Sequence, residues 1–438
     1  MRIVDAGDRR AVQRLLQPSR IRDTATDRAV AEIVEGVRRG GDAALRRYAR
    51  EFDGLDGPME ISAEEVRRAA AEVPRQVRTA IQQAARSIRV VARRQVPRGW
   101  RTNIQAGVSV EQRIIPLDSV ACYVPGGRYP LPSSLLMAAV PAQVAGIKDI
   151  IVTCPRPEPV VLAAAMEAGA TRVFRLGGAH AVAALAYGTA SVPRVDKIVG
   201  PGNRYVAAAK ATVAADCGID FYAGPTEILI VATRGPADWI AADLIAQAEH
   251  DADARAVLIT TSRTLAERVA REVEAQAPND GPARVALRRH GGIIVTSSAR
   301  DAIALANASA PEHLVVDREP LAKLARCAGS IFVGPWSAQV AGDYAIGSNH
   351  VLPTAGAARV RGGLSAADFV RQVTVQRVTE HGLRRIANTI VTLARAEGLN
   401  AHAASIEIRT MGKGEGGRGK GRARKQGQGS RAKARRKA

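Results

Sequence analysis

Apolar residues recur at helical spacing through residues 8–100, with arginines on the outward positions, so this region reads as helices. Ser62 followed by Glu65 opens ISAEEVRRAAAEV in a capping-box pattern, and Pro74 separates it from QVRTAIQQAARSIRVVARR. From Gly107 the pattern changes to strands, GVSVEQRIIP and SVACYVPGG, and then alternates. DIIVTC leads to PVVLAAAMEAGA, RVFRL to GGAHAVAALAYG, and DKIVGPGN to RYVAAAKATVAA before ILIVA. A second set runs through AVLITT, GGIIVTSS, HLVVD and SIFVG. Short apolar strands between short helices predict βαβ units, hence two doubly wound, mainly parallel α/β domains joining near Glu227. Residues 366–409 read as helical again.

Three strand-to-helix turns are rich in glycine: YVPGG (123–127), LGGAH (176–180) and VGPGN (199–203). They fall at the carboxyl ends of strands, where ligands of open α/β sheets sit, and they free helix-start N–H groups that favour phosphate. None has the GxGxxG spacing of a standard dinucleotide loop. One such turn only supports a tight bend. Three in one unit favour a nucleotide-sized ligand.

The polar chemistry is concentrated elsewhere. AQAEH (246–250) ends a helix that opens near Pro236, and Gln247 and His250, three apart, share a face on a helix. An amide oxygen and an imidazole nitrogen aimed at one point suit a borderline cation such as Zn²⁺, although such pairs are usually solvated side chains. GDYAIGSNH adds Asp343 and His350, and EGLNAH adds Glu397 and His402. APEHL (310–314) puts Glu312 and His313 at the entrance to a strand, where an imidazole and a carboxyl are suited to proton transfer.

Composition narrows the picture. With 438 residues the chain exceeds one ordinary core, and no apolar run approaches a membrane span. The amino-terminal MRIVDAGDRR lacks a signal-peptide core, so a cytoplasmic protein is expected. The cysteines Cys122, Cys154, Cys217 and Cys327 form no CxxC pair and read as small core residues. The net charge is +21, but eleven Lys/Arg and one acid between Gly412 and Ala438 account for +10 of it. That Gly-rich tail reads as disordered, with non-specific polyanion binding as the sharper alternative. A polyanion-binding protein is thus a rival class, against which the compact set of metal-type and base-type residues argues.

YVPGGRYPLPSSLLM, VGPGNRYVAAAK, AGPTEILIVA, AQAEH, APEHL, GDYAIGSNHVLPT and EGLNAH occur in one order and resemble histidinol dehydrogenase over nearly all of residues 1–409. The resemblance implies two incomplete, Rossmann-like α/β domains, with helical N-terminal and C-terminal segments. It divides the chain into 1–14, a zinc and catalytic domain (15–119 with 228–363), an NAD-binding domain (120–227), a C-terminal helical domain (364–411) and the tail. It also implies a homodimer that oxidises L-histidinol to L-histidine through bound L-histidinal, using Zn²⁺ and two NAD⁺. Zinc ligands would be Gln247, His250, Asp343 and, from the partner subunit, His402. His313 would be the general base and Glu312 the acid/base that activates water. Thr226, where the family has Ser, His350 and Glu397 would contact substrate, as would the metal ligands and His313. Tyr123 and Asn203 would contact NAD, and so would His180, where the family has Gln. A related zinc/NAD dehydrogenase acting on another polar alcohol is the alternative.

Overall fold

The computed structural model describes residues 1–17, 23–127, 129–222 and 224–411. Its strands are β1 (Arg2–Asp5), β2 (Glu60–Ile61), β3 (Trp100–Gln105), β4 (Val108–Pro116) and β5 (Ser119–Tyr123). There follow β6 (Asp149–Thr153), β7 (Arg172–Phe174), β8 (Lys197–Val199), β9 (Gly218–Ile219) and β10 (Glu227–Val231). The last five are β11 (Arg255–Thr260), β12 (Gly292–Val295), β13 (His313–Val316), β14 (Ser330–Val333) and β15 (Val370–Val378).

Two six-stranded sheets lie in one compact unit, Met1–Arg98 with Ile114–Arg371. The first has the order β2-β7-β6-β5-β8-β9 and is parallel except for β2; the second, β1-β12-β11-β10-β13-β14, is wholly parallel. Both follow the same winding. The chain runs outward through three strands, returns to the far side of the first, and continues the other way. Each sheet therefore has a switch point, at β5/β8 and at β10/β13, where connections leave adjacent strands in opposite directions.

Side-chain alternation along the strands fills both faces. Val120 and Cys122 of β5 pack with the helices Arg75–Gln95 and Pro132–Ala145, whereas Ala121 and Tyr123 pack with Thr24–Tyr48 and Gly178–Tyr187. Ile228 and Ile230 of β10 likewise face Ala237–Ala248, while Leu229 and Val231 face Arg9–Leu16 and Ala299–Ser309. Burial on both faces explains why these strands read as unbroken apolar runs.

Three expectations change. Residues 15–119, grouped above with 228–363, supply the helices Thr24–Tyr48, Ala63–Glu72 and Arg75–Gln95, which pack on the first sheet instead. Arg2–Asp5, read as part of a separate leading segment, is the edge strand of the second sheet beside β12. Residues 366–409 are not helical throughout, because β15 occupies Val370–Val378. Its VRQVTVQRV has three consecutive β-branched residues at its centre, Val373, Thr374 and Val375, which favour a strand over a helix although the flanking positions are polar.

The second unit, Gly99–Arg113 with 372–411 of the described residues, contains the antiparallel β3–β4 pair and the helices Glu380–Ala396 and Asn400–Thr410. Gly107 (φ 80°) and Gly382 approach so closely that a Cβ on either would strike the other's backbone. No helix among the described residues is long and apolar enough to cross a membrane. The basic tail, 412–438, lies outside the described residues, and the polyanion expectation falls there.

Candidate active site

The chemistry gathers at the amino-terminal edge of the second sheet. The helix Ala299–Ser309 ends on Ala310, held in the left-handed conformation (φ 49°), and Pro311 then directs Glu312 and His313 into β13. Both side chains are buried, and the register sets His313 opposite Ile228 of β10. Glu312 Oε2 accepts hydrogen bonds from Thr226 Oγ1 (2.6 Å) and from the Glu227 backbone N–H (2.8 Å). Gln247 Nε2, in the last turn of Ala237–Ala248, donates to Thr226 Oγ1. A relay thus runs from Gln247 through Thr226 to Glu312. His250 stands just beyond the helix, two residues after its last turn, so it shares a corner with Gln247 rather than a helical face.

His313 Nδ1 lies 3.1 Å from the Glu227 carbonyl oxygen. A carbonyl can only accept, which assigns the proton to Nδ1 and leaves a lone pair on Nε2. That Nε2 is buried and has no hydrogen-bond partner among the described residues, and the same holds for Gln247 Oε1. Two orphaned acceptors in one buried site call for a ligand that supplies a proton or a positive charge. Asp343, on the short helix Gln339–Tyr344, and His350 complete the cluster. His350 Nδ1 donates to the Asp343 carbonyl (3.2 Å), and Ser134 Oγ of the first sheet's helix lies 3.4 Å from its Nε2.

Burial separates the protonation states of the central pair. It pushes the Glu312 carboxyl up to about 8, against the opposing Thr226 hydrogen bond, and the His313 imidazole down to about 4. Burial also lifts Asp343 to about 6, with His313 opposing and Glu312 adding, and lowers His350 to about 4. Near neutral pH the pair is therefore a neutral base beside a protonated acid. The shift has a sign for stability. The folded, metal-free chain keeps the Glu312 proton to higher pH than the unfolded one, so stability falls as pH rises from about 4.5 to about 8. Glu312→Gln removes the buried charge while its amide oxygen still accepts from Thr226 and Glu227. Its melting temperature in metal-stripped protein should exceed the parent's well above pH 8 and show little difference near pH 5. The same difference at both values would discard charge burial as the cause.

Tyr123, ending β5, and Asn203, four residues after β8, stand at the other switch point, β5/β8. Gly178 N–H donates to Tyr123 Oη (3.0 Å), and Gly200 (φ 113°) has no room for a Cβ against the Tyr123 backbone. Asn203 Oδ1 caps the helix Arg204–Val213 by accepting from the Tyr205 and Val206 N–H groups. His180 is fully buried, with Nε2 2.8 Å from Asp53 Oδ2 and Nδ1 unpartnered among the described residues. Asp53 also accepts from the Gly177 N–H (2.9 Å). Sequence reading missed Asp53, and also Lys210 and Asp220, a buried ion pair that grips the 199–203 turn through Gly200. The only signal was Lys210 itself, a charge inside the apolar run VAAAKATV.

Glu397 and His402 belong to the second unit. Both are exposed, at the corner where Gly398 (φ 76°) joins the helices Glu380–Ala396 and Asn400–Thr410. Among the described residues no group of three or more His, Cys, Asp or Glu could hold a metal ion. Gln247 is outside that set of residue types, and its unpartnered oxygen, with His250 nitrogen and Asp343 oxygen, is a donor set that fits zinc. The thiols do not compete for a catalytic role. Cys122, Cys154 and Cys217 are buried, which raises all three, the latter two to about 11.

The histidinol dehydrogenase family model matches residues 16–410. The chain belongs to that family. The histidinol dehydrogenase of Haloarcula marismortui is 48% identical over 393 residues, which cover 87% of this chain and 92% of that protein. The one from Methanothermobacter thermautotrophicus is 43% identical over 417 residues, covering 92% and 97%. A crystal structure of histidinol dehydrogenase from Elizabethkingia anophelis superposes with a TM-score of 0.88 at 33% identity, covering 93% of this chain and 98% of that one. Membership of the histidinol dehydrogenase family makes the chain an oxidoreductase, and the shared fold extends over both α/β sheets.

Proposed function

We propose that the chain catalyses the four-electron oxidation of L-histidinol to L-histidine, through bound L-histidinal, in histidine biosynthesis. The observation that carries this reading is the buried lone pair of His313 Nε2 beside a protonated Glu312, within a family of histidinol dehydrogenases. Gln247, His250 and Asp343, with His402 of the partner subunit, would hold zinc; Tyr123, His180 and Asn203 would hold NAD⁺. The metal would supply a positive centre that orients the substrate's nitrogens, and the dinucleotide would accept hydride.

The chain's own groups do the rest. His313 Nε2 removes the hydroxyl proton as the carbinol C–H bond breaks and hydride departs, leaving the aldehyde. Glu312, whose carboxylate form the positive charge of a bound metal would favour, first gives up its own proton and then takes one from the water that adds to the aldehyde carbon. The hydrate loses the second hydride and a proton to become the carboxylate product. Thr226 and the Glu227 N–H aim Glu312, and the Glu227 carbonyl fixes the His313 tautomer. His350 and, across the subunits, Glu397 would contact substrate.

The test is the amount of NADH formed per L-histidinol consumed by zinc-loaded protein. Two are expected from the parent. Glu312→Gln, which keeps the first-step base, should shift the yield towards one, with aldehyde trapped by a carbonyl reagent. No turnover of histidinol alongside turnover of another polar alcohol would transfer the same chemistry to a different substrate.

A further inference from the structure

The second sheet has a switch point of its own, β10/β13, and the chemistry described above is not there. Glu312, His313, Thr226 and Glu227 lie at the amino-terminal edge. The crevice between β10 and β13 opens at the carboxyl edge, a strand length away, roughly 13 Å for four residues. A cavity of about 400 Å³ occupies that crevice. Its size and position are those of a small-molecule site in an open α/β sheet.

Its lining is selective. Trp239, from the helix that follows β10, and Trp336, from the turn after β14, form a corner with ring centroids 5.0 Å apart and planes inclined at 59°. Trp336 is 84% exposed and Trp239 41%, so a large aromatic surface stands open to solvent beside an apolar floor of Ile230 and Val315. The polar groups are carboxylates. Asp317, at the carboxyl end of β13, spends Oδ2 on the Thr233 N–H and hydroxyl (both 2.7 Å), while its buried Oδ1 has no partner among the described residues. Asp243 is the second carboxylate, and Arg234 also lines the cavity. Arg318 lies 3.4 Å from Asp317 but outside the lining, so two carboxylates face one lining guanidinium.

We propose that this cavity is a second ligand site, for an uncharged nucleoside: a planar base against the Trp239/Trp336 corner, with ribose hydroxyls or base N–H groups donating to Asp317 and Asp243. A carboxylate at a strand's carboxyl end taking ribose hydroxyls is the usual chemistry of such crevices. Aromatic stacking supplies affinity without demanding charge. A phosphate would meet two carboxylates there, which disfavours nucleotides relative to nucleosides. The site is independent of the histidinol reading, because it shares no residue with it.

Calorimetric titration of adenosine into the full-length, zinc-loaded protein tests the proposal, using the parent, Trp336→Ala and Asp317→Asn. Trp336 is exposed and touches no residue assigned to catalysis, so kcat in Trp336→Ala should match the parent and certify its fold. Adenosine binding should weaken about tenfold or more in Trp336→Ala, the loss expected of one base-stacking contact. It should weaken in Asp317→Asn as well. AMP should bind the parent less tightly than adenosine. Absence of adenosine binding, equal binding in all three proteins, or a preference for the aromatic cation histamine would overturn the proposal.

Discussion

His313→Ala is expected to lower kcat for histidinol oxidation by about 10²–10⁴-fold, the span attributed to one positioned general base. The reason is local. Nδ1 of His313 is committed to the Glu227 carbonyl, so Nε2 alone carries a lone pair, and it is buried with nothing else to accept from. Burial also holds the imidazole neutral, with its proton lost above about pH 4 in the metal-free chain. The base is therefore in its working form at neutral pH, and its removal should act on kcat more than on KM. Steady-state rates with saturating NAD⁺, beside a melting curve to confirm folding, measure this. A rate within threefold of the parent would place the base on another residue.

Two inactive variants, mixed, should restore activity. The proposal puts His402 of one chain into the site of its partner, while His313 acts in its own chain. In a dimer carrying one His313→Ala and one His402→Ala chain, one site collects both defects and the other has none. Random reassociation yields about half mixed dimers, so about a quarter of the parental activity should return. If His402 instead acts within its own chain, every site in the mixture is defective and no activity returns. Denaturing, mixing and refolding the two variants, with each alone as control, distinguishes these outcomes.

Much of the fold was legible because its strands are buried on both faces and its helices on one. Val120–Tyr123 and Ile228–Val231 read as apolar runs since alternate residues serve opposite cores, and Pro74 and Pro236 marked helix starts by removing an N–H. Packing partners were not legible. The helices of residues 24–95 are amphipathic in any setting, and nothing in a period of 3.6 says which sheet takes the apolar face. β15 was misread for a related reason. Its valines at 370, 373, 375 and 378 sit in a polar run, and exposed strands carry a weaker signal than buried ones.

The candidate site divides in the same way. Residue types and spacing singled out Gln247, His250, Glu312, His313, Asp343, His350, Glu397 and His402 in separate segments, and the resemblance to the family joined them in one expected site. The sequence alone determined which atoms are available: imidazoles, carboxyls and an amide, in glycine-marked segments of an α/β chain. Only the tertiary structure decided their states. Glu312 becomes an acid and His313 a base through burial at a strand entrance, and the tautomer of His313 follows from a carbonyl 86 residues away in the chain. Asp53, distant from His180 in sequence but bonded to it, was invisible beforehand for the same reason. Protonation and hydrogen bonding depend on dielectric and on neighbours brought together by folding, and neither is a property of a residue's place in the sequence.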